Sequence, residues 1–341
     1  MSELTGRVSI TDVARHANVS PTTVSHVLSG RRPVAEVTKE RVFRAVMELG
    51  YRPHGPARSL RTRRTQLVAL AVPDITNPFY PSVMRGMADE LADQDYRVLV
   101  HNTDGEREQE LAVLNALADG SVDAAALFAF HLEDRDLRQL SDRAIPVVAL
   151  GVTAPEAGTI DVILSGDRSG IREATGHLLD LGCHPLAYIG GETDTAMAVR
   201  RQEGFRDAHR DRDTEPLPEL MATADFTTEG GTRAARQLLS RADPPRGIVC
   251  ANDLMAIGVL EAAAEAGLTV PGDIAVTGFD DIDAASLVRP RLTTVSNRPR
   301  EHGQVGARML LSRLMGEYTG PSRTELIPTD LVIRESTPEP R

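Results

Sequence analysis

Residues 9–60 read SITDVARHANVSPTTVSHVLSGRRPVAEVTKERVFRAVMELGYRPHGPARSL. Ser9 can cap a first helix, and Asp12, three positions later, completes a variant of the capping box. After a tight turn, Ser20 can cap a second helix whose first position is Pro21, where a backbone N–H is not needed. The stretch is therefore expected to begin with two short helices separated by a few residues.

Apolar residues in this stretch recur at helical spacing. The three runs are Ile10, Val13, Ala14 and Ala17, then Val24, Val27 and Leu28, then Val42, Val46 and Leu49. A third helix is expected to start near Thr38 and to end at Gly50. The pattern predicts helix-turn-helix geometry with a second helix sized for the DNA major groove. It is equally typical of an ordinary three-helix bundle with a solvated polar face.

Charge is distributed unevenly along the chain. Residues 1–65 contain twelve basic and five acidic side chains, which is a formal charge of +7. Because the 341-residue chain has a net charge of −11, the remainder has a charge of −18. This distribution favours phosphate binding by a basic head, since DNA repels the acidic body.

Four motifs in the head are similar to those of a known family. They are ITDVARHA at 10–17, VSPTTVSHVL at 19–28, LGYRP at 49–53 and ARSL at 57–60. The head resembles the DNA-binding headpiece and hinge of the LacI/GalR family of bacterial transcription regulators. The resemblance implies that Pro21, Thr22 and His26 face base edges. It also implies that Leu60 is a wedge that enters the minor groove and kinks the duplex. The whole implied DNA-binding set is Thr11, Ser20, Pro21, Thr22, Thr23, Ser25, His26, Arg58 and Leu60.

From residue 66 onward, predicted strands and helices alternate. The strands are 67–72, 97–100, 124–128, 146–150, 186–189, 247–250 and 274–278, and the helices are 80–92, 106–119, 170–181, 197–209, 228–240 and 254–266. Such alternation predicts an α/β fold with parallel sheets and helices on both faces. Near 160–164 the chain is expected to cross from one unit into a second of similar size. Two such units imply a cleft, with ligands bound at the carboxyl ends of the strands.

Motifs in the body extend the resemblance over nearly the whole chain. They are NPFY at 77–80, RQEGF at 201–205, ANDLMAIG at 251–258, VTGFDDI at 276–282 and LTTV at 292–295. The body resembles the periplasmic-binding-protein-like core of the same family, whose chain crosses three times between two subdomains. One departure is Gly166-Asp167, where the family often has Asp-Asn, so a polar contact or crossover bond is expected to be missing there.

The resemblance implies a domain organisation. A three-helix headpiece is expected at 1–52, a hinge helix and linker at 53–65, and an effector-binding core at 66–341. Within the core, subdomain N is expected to comprise about 66–163 and 295–325. Subdomain C is then expected to comprise about 164–294 and 326–336.

Candidate effector-binding residues follow the predicted strands. Phe79 and Tyr80 follow the first strand and could stack on a sugar ring or a base, although core or dimer-face packing is the alternative. Arg201 offers a planar fork to hydroxyls or carboxylates, with a helix-surface ion pair as the alternative.

Three further candidates come from the second unit. The resemblance places an aromatic ring against the ligand at Phe226, with simple packing as the alternative. Asn252 and Asp280 each follow a strand, where polar groups meet a ligand in the cleft. Asp253 is expected either to reach the cleft or to cap the next helix, which leaves Asp280 as the better candidate.

Catalytic motifs are missing from the sequence. It contains no P-loop, no strand-borne GxGxxG motif, no GxSxG elbow and no metal-ligand spacing of histidines. We therefore expect neither an enzyme nor a bound cofactor or metal. Cys183 and Cys250 lie in separate apolar segments, which is typical of free buried thiols in a reducing compartment. Without a signal peptide or a membrane-spanning run, the chain is expected to be cytoplasmic.

The sequence thus predicts a ligand-responsive transcription regulator that acts as a repressor. Two identical headpieces of a homodimer would bind a pseudo-palindromic operator, one half-site each. A sugar is the first expectation for the effector, and a nucleobase or nucleoside is the second. The alternative from another class is a sugar- or nucleoside-binding protein without a DNA function. The missing signal peptide and the basic head disfavour it.

Overall fold

The computed structural model describes residues 8–29, 32–51, 64–133, 135–136, 145–151, 160–191 and 195–339. The chain divides into two compact units after Thr65. The predicted hinge helix and linker at 53–65 lie largely outside the described residues. Among the helices that the structure describes, none is long and apolar enough to cross a membrane.

The first unit contains three helices, α1 (Ile10–His16), α2 (Pro21–Ser29) and α3 (Glu36–Glu48). The predicted capping box of α1 is confirmed, because the Asp12 N–H donates to Ser9 Oγ and the Ser9 N–H donates to the Asp12 carboxylate. Ser20 caps α2 by accepting a hydrogen bond from the N–H of Thr23 at 3.0 Å. Helix α3 begins at Glu36, two residues before the expected start. A small core of buried side chains joins the helices, including Val13, Val24, Val42 and Tyr51.

The second unit contains two six-stranded sheets. The first has the order β11-β5-β4-β3-β1-β2, and all its strands are parallel. Its strands are β1 (Leu67–Val72), β2 (Arg97–Asn102), β3 (Ala124–Phe128), β4 (Val147–Leu150), β5 (Asp161–Ser165) and β11 (Thr324–Ile327). Its helices are α4 (Phe79–Ala92), α5 (Arg107–Ala118) and α11 (Pro299–Leu314). We call this half the N subdomain.

Alternate side chains of β1 show how the N subdomain is layered. Val68, Leu70 and Val72 pack in one cluster with side chains of α4 and α11. Ala69 and Ala71 pack in another with side chains of α5. Since successive side chains of a strand point to opposite faces, helices cover both faces of this sheet.

The other half, the C subdomain, has the strand order β12-β10-β9-β8-β6-β7. Its strands are β6 (Leu186–Gly190), β7 (Met221–Thr223), β8 (Gly247–Cys250), β9 (Ala275–Asp280), β10 (Thr293–Ser296) and β12 (Asp330–Val332). Its helices are α6 (Asp167–Asp180), α7 (Ala196–Arg210), α8 (Thr228–Leu239), α9 (Asp253–Glu265) and α10 (Asp283–Leu287), with a 3₁₀ turn at Pro218–Leu220. The α/β fold with two largely parallel sheets is thus as expected. Strand β12, which was not predicted from the sequence, runs antiparallel to β10.

The chain passes between the subdomains at Gly166, at 297–298 and at 328–329. These crossovers lie a few residues after the boundaries that the sequence suggested, because each follows the end of a strand. The segment near 160–164, expected to be a crossover itself, is mostly strand β5. Helix α11 had no counterpart among the elements predicted from the sequence.

Helices α4 and α11 approach each other closely through two glycines. A Cβ added at Gly86 would lie 2.0 Å from the carbonyl oxygen of Arg300, and one at Gly303 would lie 2.0 Å from that of Val83. A side chain at either position would therefore collide with the backbone of the partner helix. Gly306, one turn further along α11, has only ordinary contacts of 3.5 Å or more.

Alanine at these two positions of α11 is expected to have effects of opposite sign. Gly303→Ala should lower the free energy of unfolding by about 1–3 kcal/mol, because the helices must separate. Gly306→Ala should raise it by up to about 1 kcal/mol, because alanine favours the helix and meets no backbone. Urea denaturation of both variants measures the difference. Equal effects would contradict close packing at Gly303.

Candidate functional site

A cavity of about 260 Å³ lies at the cleft between the N and C subdomains. All six candidate effector-binding residues line it, namely Phe79, Tyr80, Arg201, Phe226, Asn252 and Asp280. They come from separate segments that the fold brings together at the carboxyl ends of strands and the starts of helices. The structure therefore places the predicted set in one site.

Aromatic rings form the wall of the cavity on the N subdomain. Phe79 and Tyr80 begin α4, and their rings meet edge to face with centroids 5.3 Å apart. Phe128, at the end of β3, lies 4.9 Å from Tyr80 and 6.0 Å from Phe79. Phe226 lines the cavity from the C subdomain, with a left-handed backbone at φ 61°. Flat apolar surfaces therefore lie on both sides of the cleft.

Arg201 lies on α7 and is only 4% exposed, so the alternative of a helix-surface ion pair is wrong. Its Nε donates to Asp167 Oδ1 at 2.9 Å, and its Nη1 donates to the carbonyl oxygen of Ala251 at 2.6 Å. The guanidinium carbon lies 3.9 Å from the ring centroid of Phe279. These contacts fix the plane of the guanidinium and leave its Nη2 3.8 Å from Asp280 Oδ1.

Asp280 ends β9 and is buried beside this guanidinium. Its backbone has a φ of 112°, a conformation that a side chain seldom adopts. Burial raises its pKa to about 6, although Arg201 and a hydrogen bond from Asn297 both oppose the rise. The carboxyl group can therefore be protonated or ionised near neutral pH.

Asn297 lies at the second crossover and was not a candidate from the sequence. Its Nδ2 donates to Asp280 Oδ1 at 3.2 Å. Its Oδ1 is buried and has no hydrogen-bond partner among the described residues. Since a buried acceptor without a partner costs free energy, this oxygen suits a hydroxyl or amide donor of a ligand in the cavity.

The polar groups after β8 have different roles from those expected. Asn252, not Asp253, caps α9, because its Oδ1 accepts a hydrogen bond from the N–H of Met255 at 3.0 Å. Its Nδ2 donates to the carbonyl oxygen of Phe226 at 2.9 Å, which holds that aromatic residue at the cavity. Asp253 is buried and accepts hydrogen bonds from Thr294 and from the N–H of Ile282. It therefore joins β10 to the end of β9.

Gly166-Asp167, where the sequence departs from the family's Asp-Asn, makes several polar contacts. The Gly166 carbonyl oxygen accepts hydrogen bonds from Ser169 and Thr329, and the second of these joins two crossovers. The buried Asp167 carboxylate binds both Arg200 and Arg201. The first crossover is therefore well supplied with polar contacts.

Acidic side chains outnumber basic ones on the cavity wall. Its charged side chains are those of Asp74, Asp104, Asp167, Asp225, Asp280 and Arg201. His302 also lines the cavity, and burial lowers its pKa, which favours the neutral ring. The cavity is therefore expected to favour an uncharged ligand over an anion. The described residues include no group of three or more His, Cys, Asp or Glu side chains that could hold a metal ion.

The candidate DNA-binding residues of the headpiece lie on or beside α2, with one on α1. Thr11, Ser20, Pro21 and Thr22 are exposed, and Thr23, Ser25 and His26 are partly exposed. Thr22, Ser25 and His26 lie on the side of α2 away from the buried Val24 and Val27. Arg58 and Leu60 lie outside the described residues.

The titration of Asp280 gives a prediction about stability. Its folded pKa of about 6 exceeds the value of roughly 3.9 for an unfolded aspartate, so folding favours the protonated form. The resulting stabilisation is fully present below about pH 4 and is lost as the pH rises through 6. Between about pH 4 and pH 7, the wild type should lose up to about 3 kcal/mol of unfolding free energy relative to Asp280→Asn. Urea denaturation at several pH values measures this, and parallel pH curves would contradict it.

Comparisons with known proteins agree with this geometry. The model of the family described as "Bacterial regulatory proteins, lacI family" matches residues 9–54, and that of a "Periplasmic binding protein-like domain" matches residues 175–337. The ribose operon repressor of Halalkalibacterium halodurans is 35% identical over 96% of this chain and 97% of its own length.

Two solved structures are also similar. The complex of the transcriptional regulator CelR with cellobiose has a TM-score of 0.72 and 30% identity, and the match covers 97% of this chain and 100% of CelR. The Lac repressor dimer bound to operator and the anti-inducer ONPF has a TM-score of 0.84 and 26% identity. The match covers 97% of this chain and 99% of the Lac repressor chain.

Proposed function

We propose a function for this chain from the fact that it belongs to the lacI family of bacterial regulatory proteins. It is a DNA-binding transcription regulator whose core has the periplasmic-binding-protein-like fold. The finer proposal is a homodimeric repressor that acts in the cytoplasm, has no enzymatic activity and releases or binds its operator in response to a small effector. The observation that carries it is that one chain has both an exposed polar face on α2 and a cleft cavity with polar and aromatic walls.

The headpiece supports sequence-specific binding in the major groove. The polar side chains at the start of α2 are accessible, while its apolar side chains are used in the core of the headpiece. A recognition helix contacts base edges through its first turns, and each protomer of a dimer binds one half-site of the DNA. The operator is therefore proposed to be a pseudo-palindrome with one half-site for each headpiece.

His26→Ala is expected to weaken operator binding by about 1–3 kcal/mol, roughly 5–150-fold, because a base contact is lost. The salt dependence of binding should stay the same, since phosphate contacts determine it. Fluorescence anisotropy with DNA from the chain's own promoter region, at several salt concentrations, measures both. Met47→Ala is the control, because Met47 is 82% exposed on α3 and belongs to no proposed base contact. Unchanged specificity and affinity in His26→Ala would contradict the proposal.

The hinge sequence supports a second DNA contact. Leu60 is proposed to enter the minor groove at the operator centre, so Leu60→Ala should lower operator affinity and leave effector binding intact. Roughly ten residues cannot hold a helix alone in water, so the hinge helix is proposed to form only on DNA. Loss of both activities in Leu60→Ala would count against this proposal.

The cavity supports an uncharged sugar as the effector. The cavity has a volume of about 260 Å³, which suits a small ring molecule. Aromatic faces can cover the apolar side of a sugar ring, while Arg201, Asp280 and Asn297 can meet its hydroxyls. The excess of carboxylates disfavours phosphorylated sugars.

A nucleobase is the second candidate, and the aromatic rings on both sides of the cleft favour it. Phe79 and Phe226 could stack against a planar ring, with Asp280 and Asn297 at its polar edge. The free carbonyl oxygen of Asn297 suits the N–H of a base as well as a hydroxyl. The two candidates differ in shape, so binding experiments can separate them.

A thermal-shift panel on the full chain tests the effector proposal. It contains ribose, cellobiose, other unphosphorylated sugars, their phosphates, and nucleobases. A ligand at a hundred times its dissociation constant should add about 2.7 kcal/mol of stability. A sugar that stabilises the protein more than its phosphate does would support the proposal. Tighter binding of a phosphate or of a nucleobase would overturn it.

A further inference from the structure

Arg200, the neighbour of the cavity residue Arg201 on α7, makes a contact across the cleft. Its Nη2 donates to the carbonyl oxygen of Gly151 at 3.3 Å and to Asp167 Oδ2 at 3.0 Å, and its Nε lies 3.3 Å from the same Oδ2. Gly151 follows β4 of the N subdomain, whereas Arg200 and Asp167 belong to helices of the C subdomain. One guanidinium thus binds groups from both subdomains.

Asp167 connects this contact to the cavity. Its Oδ2 binds Arg200, and its Oδ1 binds Nε of Arg201 at 2.9 Å. It is the first residue of α6, directly after the crossover at Gly166, and it is only 1% exposed. The carboxylate therefore joins the cross-cleft contact to the guanidinium that faces the cavity.

We propose that Arg200 is a positioning residue that holds the cleft closed before the effector binds. Opening the cleft moves Gly151 away from α7 and breaks the hydrogen bond to its carbonyl oxygen. Arg200 then has only Asp167 as a partner, and the link from Asp167 through Arg200 to the N subdomain is lost. Closure of the cleft and the orientation of Arg201 are coupled through this one carboxylate. The proposal concerns the cleft itself and holds whichever effector class binds there.

Other arginines near α7 show why Arg200 differs from an ordinary surface ion pair. Arg168 binds Asp207 and Arg172 binds Asp211, and each of these pairs joins α6 to α7 inside the C subdomain. Both arginine side chains are 53% exposed, whereas that of Arg200 is 24% exposed. Pairs within one subdomain are unaffected by cleft opening, and solvent screens them. Only a contact that reaches the other subdomain can change the balance between open and closed forms.

The coupling has a consequence for effector affinity. If only a fraction of the molecules is closed, the apparent dissociation constant equals the intrinsic one divided by that fraction. Arg200 raises this fraction without touching the effector. Its loss should therefore weaken effector binding in proportion to the loss of closed molecules.

Spin-label distance measurements on the full chain test the proposal without any ligand. Nitroxide labels at Glu106→Cys, before α5, and at Glu229→Cys, in α8, lie on exposed positions of opposite subdomains. Cys183 and Cys250 are buried, so the labels go to the new thiols. Labelled chain is diluted with unlabelled chain so that double electron–electron resonance reads the distance within one chain.

In this doubly labelled protein, Arg200→Met should lengthen and broaden the distance distribution. Arg200→Lys keeps the charge beside Asp167 but lacks the planar guanidinium group that binds Asp167 and Gly151 together. It should therefore give an intermediate distribution. Arg206→Met is the matched control, because Arg206 is exposed on the same helix and binds Gln202, and it should leave the distribution unchanged. Arg200→Gln serves in place of the Met variant if that variant fails to fold.

A distribution in the Arg200 variants identical to that of the wild type would overturn the proposal. The same holds if Arg206→Met shifts the distance as much as Arg200→Met does. Because no effector is present, such a failure leaves the proposed effector and operator binding untouched. Conversely, a silent effector panel does not affect the distance result.

Discussion

Asp161→Ala is expected to lower the free energy of unfolding by about 3–5 kcal/mol, because it leaves two largely buried arginine charges without a counter-charge. Asp161 starts β5 and is fully buried. Arg313 of α11 donates to both of its oxygens at 2.7 and 2.8 Å, and Arg323 donates to it from its side chain and its N–H. Both guanidinium groups also lie over the ring of Tyr318. One carboxylate therefore joins a strand, the end of a helix and the loop that leads to β11.

The pKa of Asp161 supports this interpretation. Burial acts to raise it, but the hydrogen bonds from Arg313 and Arg323 outweigh burial and hold it below the usual value. A lowered pKa means that this carboxylate stabilises the folded chain above the unfolded pKa, and that the stabilisation is lost as the pH falls through the folded pKa. The destabilisation by Asp161→Ala should therefore be largest near neutral pH and decrease in acid.

Guanidinium denaturation of the full chain near pH 7 and near pH 3, below the pKa of roughly 3.9 of an unfolded aspartate, measures this effect. Asp180→Ala is the control, because Asp180 binds Arg212 through a side chain that is 66% exposed. Its loss should cost less than about 1 kcal/mol. If both variants lose the same stability, the buried cluster around Asp161 does not contribute as its geometry indicates.

The site residues that could be predicted from the sequence lie next to a recognisable local pattern, either a strand or a motif. Phe79, Tyr80, Asn252 and Asp280 each follow an apolar run that is recognisable as a strand, and ligands bind where parallel strands end. Arg201 was recognisable from its motif. The fold class could also be predicted, because the local spacing of apolar residues indicates which segments are strands and which are helices.

Residues that the sequence did not reveal act through partners in other elements of the fold. Asn297 lies after a strand that was not predicted, and its role depends on Asp280, which comes from a different strand. Asp161 and its two arginines are separated by more than 150 residues. Neither pairing leaves a periodic pattern. The antiparallel β12 was missed because a strand of three residues is too short for a recognisable period.

Asp253 shows that even a correct motif leaves a role undecided. The sequence allowed it to cap α9 or to face the ligand, and the structure assigns it neither role. A Cβ added at Gly278 would lie 2.1 Å from its Oδ1, so β9 leaves room for this carboxyl group. Burial raises its pKa well above the usual value, which favours the neutral acid between β9 and β10. Such a role depends on tertiary packing, which no local rule describes.

Arg201→Met is expected to abolish the effector response while operator binding persists. The guanidinium is the one positive group that lines the cavity among the described residues, and Asp167, Ala251 and Phe279 hold it in a fixed plane. Losing a hydrogen bond from a charged donor to the effector costs about 1.5–3 kcal/mol of binding, roughly 10–150-fold. The headpiece is a separate compact unit, so the polar side chains proposed to contact bases remain available.

The measurement combines two titrations of the same variant. Anisotropy with operator DNA should give an affinity near that of the wild type, and titration of the effector into that complex should release little or no DNA. Arg206→Met, on the exposed side of α7, should behave as the wild type in both. A variant that loses operator binding as well would point to unfolding, which urea denaturation detects independently.

Arg201→Lys should rescue the effector response only in part, because lysine restores the positive charge but not the contacts of the guanidinium group. Lysine restores a positive charge for Asp280, whose pKa Arg201 holds down against burial. It cannot at the same time reach Asp167, the Ala251 carbonyl oxygen and the ring of Phe279, because an ammonium group lacks the planar fork. Arg201→Met should raise the pKa of Asp280 above about 6, since the opposing charge is gone. If charge alone determines the response, Arg201→Lys will bind the effector as the wild type does, and the fixed guanidinium plane is then irrelevant to recognition.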